Sequence, residues 1–261
     1  MRALKIAATG MSAQQMRVET ISNNLSNMST TGYNARRAEF ADLHYQQMAR
    51  AGQINAADGT VLPTGVQLGL GVRPSAISIH LAQGALSATG GDLDIAIDGR
   101  GYLEVTLPTG QVAYTRDGGL KRTGEGLIVT SDGFPVAPEV VIPADARAIS
   151  INADGEIYVY FQDNAAGQLI GQFTLSGFAN AKGLEALGGN LFAETEASGP
   201  AIVSTPGADG LGTLRQGYLE DSSVDAVREI TELIEAQRGY EMNAKVISAA
   251  DQMMGATTQV R

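Results

Sequence analysis

The C-terminal stretch SSVDAVREITELIEAQRGYEMNAKVISAADQMMGATTQVR, residues 222–261, decides the fold. Within it Ala226, Ile230, Leu233, Gln237, Tyr240, Ala244, Ile247, Asp251 and Met254 recur at alternating steps of four and three, the seam of a coiled-coil-like helix. Gln237 and Asp251 interrupt an otherwise apolar or small series. Ser222 is placed to cap the first turn, with Asp225 three residues on at the capping-box position. Arg228–Glu232 and Glu241–Lys245 are opposite charges four apart on one face. About thirty helical residues reach roughly 45 Å. A helix of that length with one apolar seam needs a partner helix.

The other end of the chain offers one. Leu4, Ala7, Met11, Gln14, Val18, Ile21, Leu25 and Met28 keep the same spacing, so a first helix is predicted over about Ala3–Met28. Two readings stay open: two ordinary core helices of one globule, or two helices whose seams meet in an assembly. Gly10 and Gly239 lie inside these helices, where glycine costs roughly 1 kcal/mol relative to alanine. The first helix ends in Ser22-Asn23-Asn24-Leu25-Ser26-Asn27, and asparagine prefers helix ends and turns. Either that end frays, or the amides of Asn23, Asn24 and Asn27 bond across a subunit contact. Gly32 is expected to take the left-handed stop.

Between the helices the pattern turns to β. Residues 48–71 are punctuated by Gly52, Asp58-Gly59, Pro63, Gly65, Gly69 and Gly71, the signature of a long hairpin or exposed loop. From Asp92 onward, short alternating strands are separated by Asp117-Gly118-Gly119, Asp132-Gly133 and Asp154-Gly155, which describes an antiparallel β domain. The fold class is therefore α+β: N- and C-terminal coiled-coil-like helices packed together, with an inserted antiparallel β domain. The expected parts are a terminal helical domain (1–32 and 222–261), an extended connector with the long hairpin (33–90), the β domain (91–205) and a return linker (206–221).

Composition narrows the function. Acidic residues number 28 against 18 basic, a net charge of −10, and no basic cluster exceeds Arg36–Arg37 or Lys121–Arg122, which argues against nucleic acid. Cysteine is absent, which removes disulfides and thiolate metal sites. Gln14, Gln15, Arg17 and Glu19 interrupt any signal-peptide apolar run, and no stretch is long and apolar enough to span a membrane.

No constellation assembles chemistry. Asp92, Asp94 and Asp98 suggest a calcium loop, but Ala96 and Ile97 stand at the fifth and sixth positions, so a solvated strand face is the better reading. His44 and His80 lack a second ligand at metal spacing and read as surface residues. No nucleophile elbow, P-loop or zincin motif is present. Catalytic, metal-ligating and cofactor-binding residues are all expected to be absent. A secreted β-rich hydrolase working through the three aspartates is the rival from a different class.

Several motifs resemble one family. Residues 22–33, SNNLSNMSTTGY, are similar to the N-terminal signature of flagellar basal-body rod and hook proteins. DIAIDGRGY at 94–102, YTRDG at 114–118 and LIVT at 127–130 match successive β segments of that family, and EAQRGYEMNAKVISAADQMM at 235–254 matches its C-terminal helix. LPTG at 62–65, GLGVRP at 69–74, STPG at 204–207 and QGY at 216–218 resemble its distal-rod members, with proximal rod and hook members as the alternatives. Gly239 stands where alanine is commoner, and Asn34-Ala35-Arg36 lacks the usual lysine. The resemblance implies a non-enzymatic subunit that polymerises in the periplasm into a hollow helical shaft carrying torque from motor to hook. It implies export by the flagellar secretion apparatus without a cleavable signal. Implied partners are further copies, proximal rod and hook proteins, and the surrounding ring (bushing) proteins. The self-assembly residues expected are Leu4, Met11, Val18, Ile21, Asn23, Asn24, Leu25, Asn27, Ile230, Leu233, Gln237, Tyr240 and Ile247.

Overall fold

A computed structural model describes residues 2–50, 64–161 and 164–259, and the chain divides into two compact units. The first unit comprises residues 1–25, 36–78 and 226–261. Its helices are α1 (Arg2–Ser26) and α2 (Ala226–Gln259). Its strands are β1 (Arg36–Asp42), β2 (Tyr45–Ala49), β3 (Val66–Gly69) and β4 (Val72–Ile79), joined as two ribbons, β1 with β4 and β2 with β3. The β2–β3 ribbon is antiparallel, pairing Tyr45 with Gly69 and Gln46 with Leu68. These are the legs of the expected hairpin; its tip, including Gln53 to Pro63, lies outside the described residues.

The helix ends differ from those the periodicity suggested, although α2 at 34 residues is no shorter than expected. The first ends at Ser26, so Met28 lies beyond it and is exposed. The second starts at Ala226, so Ser222 does not cap it; the Ser222 hydroxyl accepts the Val224 N–H instead.

The second unit comprises residues 26–35 and 79–225. Its strands are β5 (Leu86–Ala88), β6 (Ile95–Asp98), β7 (Leu103–Thr106), β8 (Val112–Thr115), β9 (Lys121–Arg122), β10 (Ile128–Val129), β11 (Ala146–Ile151), β12 (Glu156–Phe161) and β13 (Asn164–Gln172). The series continues with β14 (Leu175–Gly177), β15 (Glu185–Gly188), β16 (Leu191–Ala193), β17 (Ile202–Ser204), β18 (Thr213–Gln216) and β19 (Tyr218–Glu220). The larger sheets run β15-β16-β8-β7 and β11-β12-β13, and the pairs are β9 with β10, β14 with β17, β18 with β6 and β19 with β5. Ile97, Leu103, Val105, Ile128, Val136, Ile157, Val159, Phe173 and Leu175 fill one aliphatic core. Tyr102, Tyr114, Phe178 and Phe192 make a smaller aromatic cluster of edge-to-face pairs, the closest 4.8 Å between centroids.

Two expectations are corrected in this unit. The stretch 206–221 is not a bare linker, because β18 and β19 lie in it and pair with β6 and β5. The strand at 95–98 does not alternate: Ile95, Ala96 and Ile97 are all buried, so both its faces are covered. Asp98 reaches out to an ion pair with Arg215 at 3.1 Å, and Asp94 accepts the Thr89 hydroxyl. The three aspartates are thus spread over separate structural tasks.

Residues 26–35 belong to this β unit, and a buried ion pair holds them. Arg116 Nε and Nη2 donate to Glu220 Oε2 at 2.9 and 2.8 Å, while its other N–H groups reach the Gly99 and Gly101 carbonyls. Glu220 presents its backbone carbonyl to the Gly32 N–H and its Oε1 to the Gly84 N–H. Gly32 sits at φ +67°, and a Cβ there would lie 2.9 Å from the Arg116 carbonyl carbon. It is left-handed as expected, but in the turn closed by the Tyr33 N–H to the Thr30 carbonyl and not as the stop of α1, which ends at Ser26. Chain segments entering and leaving the unit are bonded: Ser223 N–H donates to Tyr33 O, and Ala35 N–H donates to Ser223 Oγ.

Candidate functional site

With no catalytic grouping legible in the sequence, the paired terminal helices are the candidate site. Contacts run in opposite senses along the two chains: Gly10 meets Asn243, Gln14 meets Gly239, Arg17 meets Glu232 and Asn24 meets Glu229. The helices are therefore antiparallel. Arg17 Nη2 lies 3.3 Å from Glu232 Oε2, and Arg228 Nε approaches the other carboxylate oxygen at 3.3 Å. Burial alone would raise the Glu232 pKa, but these two guanidinium groups outweigh it and hold the carboxyl below its ordinary value.

Asn24 is 1% exposed and fully engaged within the chain. Its Oδ1 accepts the Arg36 N–H at 2.9 Å, and its Nδ2 donates to the Arg36 carbonyl at 2.8 Å and to Glu229 Oε2 at 3.2 Å. One amide thereby ties α1 to β1 and to α2. The expectation that it bonds across a subunit contact is corrected on this geometry. Burial raises the Glu229 pKa, only partly countered by the Asn24 hydrogen bond.

The expected seam is split by the structure. On α1, Ile21 is buried, Leu4, Met11, Val18 and Leu25 are half-buried, and Asn23 is exposed. Asn27 follows the helix in the adjoining turn. On α2, Leu233 and Ile247 are half-buried, but Ile230 and Tyr240 are 46% and 41% exposed and Gln237 faces solvent. The line of α2 that meets α1 runs through Glu229, Glu232, Ala236, Gly239 and Asn243, one helix position earlier than the large apolar residues suggest. Small residues make the closest approach, and hydropathy patterning gives them little weight.

A second stripe follows. Val227, Ile230, Ile234, Met242, Val246 and Met253 are all exposed and form a broad band that drifts round the helix along its length. At roughly 100° per residue Val227, Ile230 and Ile234 lie about a third to half a turn round the helix from Ala236 and Asn243, and Met242, Val246 and Met253 about a sixth to a third of a turn. The sequence carried that stripe openly, but periodicity had assigned Ile230 to the α1-facing side.

Family models place this chain, with a helix toward each end of the sequence and β strands between, in the class of flagellar rod and hook proteins. Residues 4–34 match the flagella basal body rod protein model, 96–159 the flagellar hook protein FlgE/F/G D1 domain, and 215–260 the flagellar basal body rod FlgEFG protein C-terminal region. The chain is 50% identical to the flagellar basal-body rod protein FlgG of Caulobacter vibrioides over the whole of both chains. It is 47% identical to that of Agrobacterium fabrum over 97% of each, and 46% identical to that of Buchnera aphidicola over 98% of each. The chain belongs to the flagellar basal-body rod protein FlgG family, a family of structural rod proteins and not of enzymes.

Proposed function

We propose that this chain is a subunit of the flagellar distal rod, polymerising with further copies into a hollow helical drive shaft that carries torque from motor to hook. The observation that carries this reading is the exposed apolar band on α2: one side of the helix meets α1, while Val227, Ile230 and Ile234 on the far side, continued by Met242, Val246 and Met253 on the flank, are exposed to solvent. An exposed apolar stripe of that length marks a protein contact. In the assembly, coiled-coil-like packing of terminal helices from adjacent copies covers it. The terminal helices α1 and α2 form the tube, in place of the expected 1–32 and 222–261, because residues 26–32 and 222–225 belong to the β unit.

Of the residues expected in self-assembly, Ile230, Gln237 and Tyr240 work on the outward face of α2, with Asn23 exposed on α1. Leu4, Met11, Val18, Ile21, Leu25, Leu233 and Ile247 support the helix pair beneath it, beside Asn24; Asn27 lies in the turn that follows. Proximal rod and hook proteins meet the ends of the shaft, and ring (bushing) proteins surround it. The site of work is the periplasm, reached through the flagellar export apparatus without a cleavable signal peptide.

Electron microscopy of the purified full chain at high concentration is the direct test. Filaments are expected from the natural sequence. Ile234→Asp is expected to abolish them while the far-ultraviolet circular dichroism of the chain stays unchanged, because a charge buried unpaired in a packed contact costs several kcal/mol. Normal filaments from Ile234→Asp would remove the outward stripe from the assembly contact.

A further inference from the structure

The helix pair contains an unexplained choice of residue. Gly10 sits in the middle of α1, where glycine weakens a helix, and Asn243 sits in the middle of α2, where asparagine does too. They face each other. A Cβ on residue 10 would stand 2.9 Å from Asn243 Nδ2 and 3.2 Å from both Cγ and Oδ1. Cγ is bonded directly to the Asn243 Cβ, so relief of that crowding needs a change of χ1, and a helix leaves few χ1 wells open. The absent side chain of Gly10 is the space that the Asn243 amide occupies.

A looser counterpart lies one turn away. A Cβ on Gly239 would meet Gln14 Cδ at 3.1 Å and Cγ at 3.4 Å, distances that a longer side chain relaxes more readily. Gln14 follows Gly10 by four residues and Gly239 precedes Asn243 by four, so both contacts belong to one antiparallel register. A slide of one turn would bring the Asn243 amide against Ile6 or Gln14, whose side chains fill the space that Gly10 leaves open.

We propose that Gly10 and Asn243 form a register lock: a helical glycine receives the asparagine amide of the opposing helix and fixes α1 and α2 at one axial position. Asn24, held to Arg36 and Glu229, pins the far end of the pair in the same register. The lock determines where along α1 the outward apolar stripe of α2 falls, so that every copy presents an identical surface. Its purpose rests on the rod reading, but its geometry is internal to one chain.

Cysteine is absent from the sequence, so paired cysteines report register without background. Gln14→Cys with Gly239→Cys reads the native register, and Gln14→Cys with Glu235→Cys reads a slide of one turn. In the full chain under mild oxidant, the native pair is expected to form its intramolecular disulfide about tenfold faster, the ratio that a preference of about 1.4 kcal/mol produces. Adding Gly10→Leu is expected to erase that advantage. Exchanging the two residues, Gly10→Asn with Asn243→Gly, refills the space from the other side and is expected to restore it. Equal rates for the two cysteine pairs in the natural background, an advantage that survives Gly10→Leu, or no recovery in the exchange would each overturn the lock. Filament formation is scored separately: a chain that keeps the native cross-link and builds no filaments counts against the rod reading and leaves the lock standing.

Discussion

Glu229 lies beside Asn24 and Glu232 in the first turn of α2, and burial holds its carboxyl above the ordinary value of 4.5. The folded chain therefore binds that proton more tightly than the unfolded chain. By linkage, this group's contribution to stability falls as pH rises from 4.5 through the raised folded value. Glu232 has the opposite sign: its lowered pKa contributes stability above the ordinary value, lost as pH falls through the folded one. Glu229→Gln keeps an oxygen acceptor for Asn24 and removes the titration. Its helices are expected to melt at a higher temperature than the natural chain's at neutral pH, followed by circular dichroism, with the gap closing below 4.5. An offset of the same size at every pH would mean that the carboxyl does not titrate in this way.

Among the elements, the β2–β3 ribbon stands out because two strands alone bury too little to be stable in water. Tyr45, Met48, Val66 and Leu68 are all exposed on it, Met48 at 61%. A ribbon dressed this way offers an apolar surface to a neighbour. If it meets a neighbouring copy in the proposed shaft, its lateral contacts are expected to resist the sliding required for bending. Met48→Ser with Leu68→Ser is expected to leave subunit folding intact and to yield curved filaments in electron micrographs. Straight filaments of unchanged persistence length would refute a stiffening role for this ribbon.

The elements also show what was legible beforehand. Both helices and the antiparallel character of the insertion could be read from spacing and turn residues, since each is a local property, whereas the legs of the ribbon at 45–49 and 66–69 could not, because glycines and a proline break the alternation across 48–71. The facing of α2 could not, because Ala236, Gly239 and Asn243 make the approach to α1 while the bulkier Ile230 and Tyr240 turn away. Nor could β18 and β19, whose Pro206, Gly207, Gly210 and Gly212 approach reads as linker, while their partners β6 and β5 lie more than a hundred residues earlier. Arg116 and Glu220 are separated by 104 residues, and nothing local announces their pairing. The family motif YTRDG marked Arg116 without saying why an arginine is needed there.

At the scale of the whole molecule, each unit gathers segments that are distant in sequence. The β unit takes residues 26–35 from beside the first helix and completes itself with 218–223 from beside the second. Its aliphatic core is self-contained, built from residues between Ile95 and Leu214. A chain comprising residues 26–225 is therefore expected to keep the β circular dichroism and cooperative thermal unfolding of this unit without either terminal helix. Loss of a cooperative transition would show that the helices are needed for the core to close.

The bonds joining Tyr33, Ala35 and Ser223 also have a mechanical side. A protein domain hung on one strand of chain can swivel freely, because rotation about a single backbone bond is nearly without cost. Here the first and last segments of the β unit are bonded to each other, and the backbone carbonyl of Glu220, whose side chain pairs with Arg116, holds the first at Gly32. Twisting such a doublet must shear its hydrogen bonds instead of spinning one torsion. The two ends of the β unit's own chain are thereby held as one piece, so that load on either is shared by both, as in a double hem.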